Sequence, residues 1–411
     1  MSYLDVTSTL EELKEMSQKY LFNTYGERNV AFIKGQGCYL YDIGGREYLD
    51  FISGIAVNNL GHSHPVIVDA IKLQSEEVLH TSNLYLIKPQ ILLAQKLCDN
   101  SFAEKVFFCN SGTEANESAI KLVRKYSKEK YGDNRYKIIS MKGSFHGRTM
   151  GALSATAQDK VRRGFEPFLE GFEFAEFNDI KSLQRLIDNK TCAVILEPIQ
   201  GEVGVVPAEK SYLENVREIC TKNDLLLIFD EIQCGMGRTS KLFAYQYYGV
   251  EPDIMTLAKA LANGLPIGAM LAKDEVAEAF KPSNHASTFG GNFLVTRTAC
   301  AVLDILLNTD LLENVKNSSR YLFHQLEELA SEFKIITKIR GIGLMIGIVF
   351  NGDAKTIQNK LLENGLLTTF CGENVIRILP PLIVKKEDID RAINIFRETL
   401  SQIENSVKRT F

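Results

Sequence analysis

Between about residues 105 and 272, short and continuously apolar runs alternate with longer segments of helical periodicity, and nothing else in the chain restricts its fold as much. The runs are Lys105–Cys109, Lys137–Ser140, Cys192–Leu196, Leu225–Asp230, Asp253–Leu257 and Gly268–Ala272. Between them lie Thr113–Lys128, with apolar Ala115, Ala119, Leu122, Val123 and Tyr126, and Tyr212–Thr221. A strand with one wet face alternates apolar and polar residues, so an unbroken apolar run marks burial on both faces. A mainly parallel sheet covered by helices on both sides meets that demand, and the fold class is α/β. Ligands bind such sheets beyond the carboxyl ends of the strands, so the polar residues just after each run matter most. From about residue 300 the pattern changes to helical Ala301–Leu312 and Ser319–Phe333, strand-like Gly343–Phe350 and Val375–Leu379, and a last helix from Lys386. That grouping suggests a smaller α+β domain. A helix and a Gly-punctuated hairpin pattern, Gly37–Phe51, precede the core and are expected to pack with this tail.

Composition narrows the partners. The chain has 411 residues, with 47 basic against 51 acidic side chains and a formal net charge of -4. Nucleic-acid and anionic-membrane surfaces need clustered basic charge, so neither is an expected partner. The longest wholly apolar stretch runs only from Gly341 to Phe350, far short of the ~20 residues of a membrane span. Met1–Tyr20 is polar and periodic, unlike a secretory leader, and is not Arg-rich like a transit peptide. Eight cysteines are scattered without C-x-x-C spacing, most of them in apolar runs, as expected of reduced and buried thiols in the cytoplasm. Cys234 is expected to be structural. His62-Ser-His64-Pro65 lacks further ligands and reads as a turn, so no metal is expected.

The run Leu225-Leu-Leu-Ile-Phe-Asp230-Glu231 ends in two carboxylates. A nucleotide hydrolase could use them for Mg²⁺, but it also needs G-x-x-x-x-G-K-[ST], which the chain lacks. The other reading is an Asp that keeps a proton on a cofactor's pyridine nitrogen, followed one strand later by a lysine, Lys259, that carries the cofactor as a Schiff base. Lysine ordinarily titrates near 10.4, so this role requires a depressed pKa or a covalent link. Phe108-Cys-Asn-Ser111-Gly112-Thr113-Glu114 joins a strand to a helix. Its first amides and two hydroxyls can hold an anion, and Ser111 with Glu114 also has the spacing of a capping box.

Seven motifs follow one another in a known order. They are Ser111-Gly-Thr-Glu-Ala-Asn116, Phe145-His-Gly-Arg148-Thr, Glu197-Pro-Ile-Gln-Gly-Glu202, Phe229-Asp-Glu-Ile-Gln-Cys-Gly-Met-Gly-Arg238, Lys259-Ala, Ser287-Thr-Phe-Gly-Gly-Asn292 and Arg377-Ile-Leu-Pro-Pro-Leu382. The chain resembles the class III aminotransferases over Tyr25–Leu382. The resemblance implies fold type I: a large domain with a mainly parallel seven-stranded sheet, covered by helices, and a smaller α+β domain. Residues 1–65 would be an N-terminal segment packing with the small domain, 66–300 the large domain that binds pyridoxal 5′-phosphate, and 301–411 the small domain. It further implies Lys259 as the cofactor's lysine and the general base and acid, Asp230 on the pyridinium nitrogen, Gln233 on the phenolic oxygen and Phe145 stacked on the ring. Ser111, Gly112 and Thr113 would hold the phosphate, and Thr288 would reach the phosphate of a neighbouring subunit in a homodimer with shared sites.

Two substrates carrying carboxylates call for guanidinium groups. The resemblance assigns them to Arg148 and Arg377, with Ser287 beside the substrate and Glu202 pairing with Arg377 until 2-oxoglutarate displaces it. Arg377 lies in an apolar strand pattern, where an unpaired charge is costly, so a partner is required. The pattern around Gly54 and Ser82-Asn83-Leu84-Tyr85 resembles the group acting on N2-acetyl-L-ornithine, because a glycine at 54 leaves room for an acyl group. Val203 replaces the Gly or Ala of many relatives and is expected to alter the pocket slightly. The implied reaction, part of arginine biosynthesis, moves the δ-amino group of N2-acetyl-L-ornithine to 2-oxoglutarate, giving N-acetyl-L-glutamate 5-semialdehyde and L-glutamate. Alternatives are ornithine, 4-aminobutyrate or succinyl-amino-acid transamination, or a non-catalytic regulator with the same fold.

Overall fold

The computed structural model describes residues 8–408; residues 1–7 and 409–411, the outer ends of the expected segments 1–65 and 301–411, lie outside it. Seven strands form the central sheet in the order Lys105–Cys109, Gly268–Ala272, Ile254–Leu257, Leu226–Asp230, Thr191–Leu196, Lys137–Met141, Phe172–Ala175. Gly268–Ala272 runs antiparallel to both neighbours, and the remaining pairs are parallel.

Two-sided burial accounts for the unbroken apolar runs. Val194 and Leu196 pack with Leu227, Phe229 and Leu257 on one face, under Leu213 and Val216 of helix Lys210–Lys222 and Val302 of helix Phe293–Asn308. The alternate residues Ala193 and Ile195 join Ile228 and Ile254 on the other face, against Ala119, Leu122 and Val123 of helix Gly112–Tyr131. Burying one leucine such as Leu227 contributes roughly 1.5–3 kcal/mol.

Some elements depart from the sequence reading. Phe172–Ala175 is a strand at the edge of the sheet, mostly half-buried, so it lacks the continuous apolar signal of the inner strands. Ile336–Ile342 is also a strand, although Thr337, Lys338 and Arg340 interrupt its apolar residues. The long helices span Phe293–Asn308 and Leu311–Glu332, not 301–312 and 319–333. The chain turns at Thr309–Asp310, where Thr309 Oγ1 accepts from the Leu311 amide at 3.3 Å. Leu306, Leu307, Leu311 and Leu312 carry the apolar pattern across that break, which hides it from periodicity.

Two four-stranded sheets accompany the central one, besides the two-stranded hairpin of Ile199–Gln200 and Val206–Pro207. Phe32–Gln36, Tyr39–Asp42 and Glu47–Asp50 form an antiparallel meander, and Leu366–Leu367 adds to it parallel to Glu47–Asp50. The early strands thereby share a sheet with a segment more than three hundred residues later. Ile336–Ile342, Met345–Phe350, Val375–Ile378 and Thr369–Cys371 form the other, antiparallel throughout. The buried Arg238 guanidinium ties these parts to the core, donating to Asn59 Oδ1, Leu344 O and Pro380 O. Among the described residues no helix is long and apolar enough to cross a membrane.

Candidate active site

Segments leaving the carboxyl ends of the central strands meet around a cavity of about 490 Å³, within the range of small-molecule sites. Asp230 ends its strand there and is 4% exposed. Its Oδ2 accepts from Asn116 Nδ2 at 2.7 Å and faces His146 Nδ1 at 2.8 Å, and its Oδ1 accepts from the Ile232 amide at 3.1 Å. Asn116 is fully engaged: it also donates to His146 O at 2.7 Å and accepts from Thr256 Oγ1 at 2.8 Å. With Nδ1 turned to a carboxylate, the His146 proton belongs on that nitrogen, and the buried Nε2 is left without a partner. Both lie in motifs of the sequence, Ser111–Asn116 and Phe145–Thr149, but sequence pattern assigns neither a place beside Asp230. The signal for Asn116 was a polar residue beside Ala115 and Ala119 on the buried face of its helix.

The second acid of the pair has a separate task. Glu231 is 1% exposed and accepts from the Ala244 and Tyr245 amides at 2.5 and 2.6 Å, capping helix Ala244–Tyr248. Burial pushes its pKa up to about 8, against the pull of those two amides. A carboxyl with a raised folded pKa holds more protons folded than unfolded, so its contribution is full below about 4.5 and is lost as pH rises through about 8. The stability of the native chain relative to Glu231→Gln is therefore expected to fall by about 3 kcal/mol from pH 5.5 to 8, measured by urea unfolding. A difference that stays flat over this range would show that Glu231 is not held protonated.

Lys259 follows strand Ile254–Leu257 and lines the cavity half-buried. Its φ of +43° lies in the left-handed region, a strained conformation for a lysine. No hydrogen bond or ion pair holds its amine among the described residues. Burial lowers its pKa, opposed by the charge of Glu202, which favours the nucleophilic free amine. Glu197, also on the cavity wall, accepts from the Phe145 amide at 3.0 Å and the Gly201 amide at 3.4 Å, and burial pushes it up to about 7.

Also on the cavity wall, Ser111, Gly112 and Thr113 open helix Gly112–Tyr131, whose first amides have no acceptor within the helix. A Cβ on Gly112 would meet Ile232 Cδ1 at 2.7 Å, so only glycine lets the helix start approach so closely. The capping box is incomplete: Ser111 Oγ accepts from the Glu114 amide at 3.3 Å, but the Glu114 carboxylate accepts from the Asn110 amide at 2.6 Å and the Ser111 hydroxyl at 3.2 Å, not from the Ser111 amide. Thr113 Oγ1 is engaged with Thr149 Oγ1 at 2.9 Å. Phe145 forms part of the wall, with the exposed Arg148 guanidinium 5.8 Å from its ring centre. A helix start with free amides, a buried carboxylate, an aromatic ring on the wall and a lysine without a partner among the described residues fit a phosphorylated pyridine aldehyde in chemistry.

Arg377, 2% exposed on strand Val375–Ile378, has three partners. Its NH1 donates to Glu202 Oε1 at 2.6 Å and Gln233 Oε1 at 3.1 Å, and its Nε to Thr369 Oγ1 at 3.2 Å. Burial pushes Glu202 up, but the Arg377 guanidinium more than offsets it and holds that carboxyl below its ordinary value.

Other expected residues lie outside the cavity. Ser287 Oγ accepts from Asn110 Nδ2 at 3.2 Å and so touches the wall from behind, while Thr288 is exposed and does not line it. Gly54 does not line it either; its φ of +63° gives glycine a conformational reason, and Val57 is the cavity residue of that segment. Val203 lies over Gly143 instead of facing the cavity. His62 pairs with Asp50 at 2.7 Å, and no group of three or more metal-ligating side chains gathers among the described residues. A larger, open depression of about 980 Å³ at the opposite ends of the strands surrounds Asp253, already neutralised by Arg217 at 2.8 Å and Lys273 at 3.1 Å.

Several known proteins are similar to this chain over nearly its whole length. The acetylornithine aminotransferase of Caldanaerobacter subterraneus subsp. tengcongensis is 51% identical over 387 residues, 94% of this chain and 98% of its own. That of Clostridium acetobutylicum is 51% identical over 386 residues, 94% of this chain and all of its own. Among solved structures, the ornithine aminotransferase from Toxoplasma gondii ME49 superposes with a TM-score of 0.93 at 32% identity, covering 97% of this chain and 96% of that one. The N-acetylornithine aminotransferase from Stenotrophomonas maltophilia K279a gives 0.83 at 38%, covering 95% and 99%. Backbone likeness therefore does not separate the two donors. Residues 22–400 match the family described as aminotransferase class-III, and it is to this family that the chain belongs.

Proposed function

We infer that this chain transfers the δ-amino group of N2-acetyl-L-ornithine to 2-oxoglutarate, yielding N-acetyl-L-glutamate 5-semialdehyde and L-glutamate, a step of arginine biosynthesis. Chain-long identity to acetylornithine aminotransferases supports the donor. The convergence of Lys259, Asp230 and Glu202 on one cavity, with Arg377 bonded to Glu202 from outside the lining, carries the reading. Bound there, pyridoxal 5′-phosphate would supply an aldehyde to take up the amine and a protonated ring to accept the electron pair freed when a carbon loses its proton.

The chain's own residues divide the remaining work. Ser111, Gly112 and Thr113 hold the phosphate at the helix start, Phe145 stacks on the ring and Gln233 contacts its phenolic oxygen. Asp230, backed by Asn116 and His146, keeps the proton on the ring nitrogen. Lys259 removes a proton from the carbon bearing the amine and returns it on the other side of the transferred nitrogen. Arg148 takes the carboxylate of the acylated donor or the distal carboxylate of 2-oxoglutarate. Glu202, with 29% of its side chain exposed against 2% for Arg377, is the movable partner. It covers Arg377 while the δ-amine donor reacts and withdraws for the α-carboxylate of 2-oxoglutarate. The uncovered guanidinium would keep its bonds to Gln233 and Thr369. Incubation of the enzyme with both substrates should form the semialdehyde and L-glutamate in equal amounts; formation of neither would overturn the reading.

The working unit we propose is a cytoplasmic homodimer in which Ser287 and Thr288 serve the partner's site. Exposed Leu79, Leu84, Tyr85, Leu86 and Phe289 support this, since Asn83 donates to Ser287 O and Gly290 O and so joins that patch to the Thr288 loop. The native mass in solution should be twice 46.1 kDa, and a monomer with full activity would exclude shared sites.

A further inference from the structure

Glu202 sits at the tip of a hairpin, residues 201–205, between strands Ile199–Gln200 and Val206–Pro207. The tip is strained: Gly204 and Val205 have φ of +97° and +58°, and a β-branched residue rarely adopts the latter. It lies across the sheet that carries Arg377. In that sheet Arg340 is paired with Gly347, Gly347 with Arg377, and Arg377 with Thr369, so one rung runs under the tip. A Cβ on Gly347 would meet Gly204 O at 2.5 Å, which shows how closely the tip rests on the middle of the rung. On one side the tip is held by the Glu202–Arg377 pair. On the other, Arg340 Nε donates to Gly204 O at 2.8 Å and its NH2 to Val203 O at 3.4 Å. Arg340 is half-buried and has no acidic partner among the described residues, so these carbonyls are its attachment.

We propose that Arg340 is a positioning residue that fixes where Glu202 meets Arg377, and thereby sets how strongly the site prefers a δ-amine donor over an α-amino acid. This rests on the gating role of Glu202 given above. When the clamp is lost, a strained tip relaxes away from the rung, and Glu202 covers Arg377 for less of the time. The α-carboxylate of an amino acid such as L-glutamate then finds Arg377 open in the enzyme form that should receive the δ-amine donor.

The test uses the holoenzyme and follows the loss of its visible absorbance after adding N2-acetyl-L-ornithine alone or L-glutamate alone. Arg340→Gln is expected to lower the ratio of the two kcat/KM values by on the order of tenfold, the loss of a hydrogen bond to a charged group. Arg340→Lys, which keeps one donor, should give an intermediate ratio. Gly347→Ala, which presses on Gly204 from the sheet side, should lower the ratio without touching Arg340. A ratio within twofold of the native value in Arg340→Gln, or an equal fall of both rates, would overturn the proposal. Glu202→Gln measured alongside separates the two ideas, because an unchanged ratio there would refute the gate itself, and a changed one would leave only the role of Arg340 refuted.

Discussion

Lys259→Ala is expected to lower kcat by on the order of 10⁴ or more, because in the proposed reaction one side chain supplies both the cofactor's covalent attachment and the proton transfers. Its place supports both duties. The amine has no partner to break away from among the described residues, burial lowers its pKa, and it shares the cavity with Asp230 and the helix start at Gly112. The strained φ of +43° is of the kind found where surrounding structure holds a residue for function. The variant should still take up pyridoxal 5′-phosphate through the phosphate and ring contacts, but should lose it on extensive dialysis, whereas the native enzyme keeps it. Steady-state assay and absorbance before and after dialysis check both statements. Activity within tenfold of native would remove Lys259 from the chemistry.

The second large effect concerns charge rather than attachment. Asp230→Asn keeps the size of the side chain and one oxygen to accept from Asn116 or His146, but it removes the negative charge facing the ring nitrogen. A preorganised charge in a water-poor site stabilises developing charge far more than it would in water, so kcat is expected to fall about 10²- to 10³-fold. Because the proposed partners of the substrate carboxylates, Arg148 and Arg377, are untouched, the KM values should change much less than kcat. A variant that loses substrate affinity but not kcat would place Asp230 in binding and not in the electron sink.

The sequence carried the parts of this arrangement that rest on local pattern. The inner strands were readable because helices cover both faces, which leaves no room for a polar residue until each strand ends; Asp230 and Lys259 stand where that restriction lifts. The edge strand Phe172–Ala175 and the strand Ile336–Ile342 were not, because one wet side lets polar residues into the run. Partnerships across long separations were equally hidden. Asn116 and His146 meet Asp230 from 114 and 84 positions away, and Arg340 grips Gly204 from 136. The pairing of Arg377 with Glu202 could be anticipated, since a guanidinium in an apolar strand needs a carboxylate, but the added bonds to Gln233 and Thr369 depend on register and on the hairpin tip. The acyl-group argument from Gly54 also gains a competitor in three dimensions, because its positive φ favours glycine whatever the donor.

Donor choice is where the central claim is most exposed, since structures of ornithine and acetylornithine aminotransferases both superpose closely on this chain. The most direct measurement compares kcat/KM for N2-acetyl-L-ornithine, N2-succinyl-L-ornithine, L-ornithine and 4-aminobutyrate at saturating 2-oxoglutarate. The expected result is the highest value for N2-acetyl-L-ornithine, at least tenfold, or about 1.4 kcal/mol of transition-state binding, above L-ornithine. Equal or higher kcat/KM with L-ornithine would contradict it.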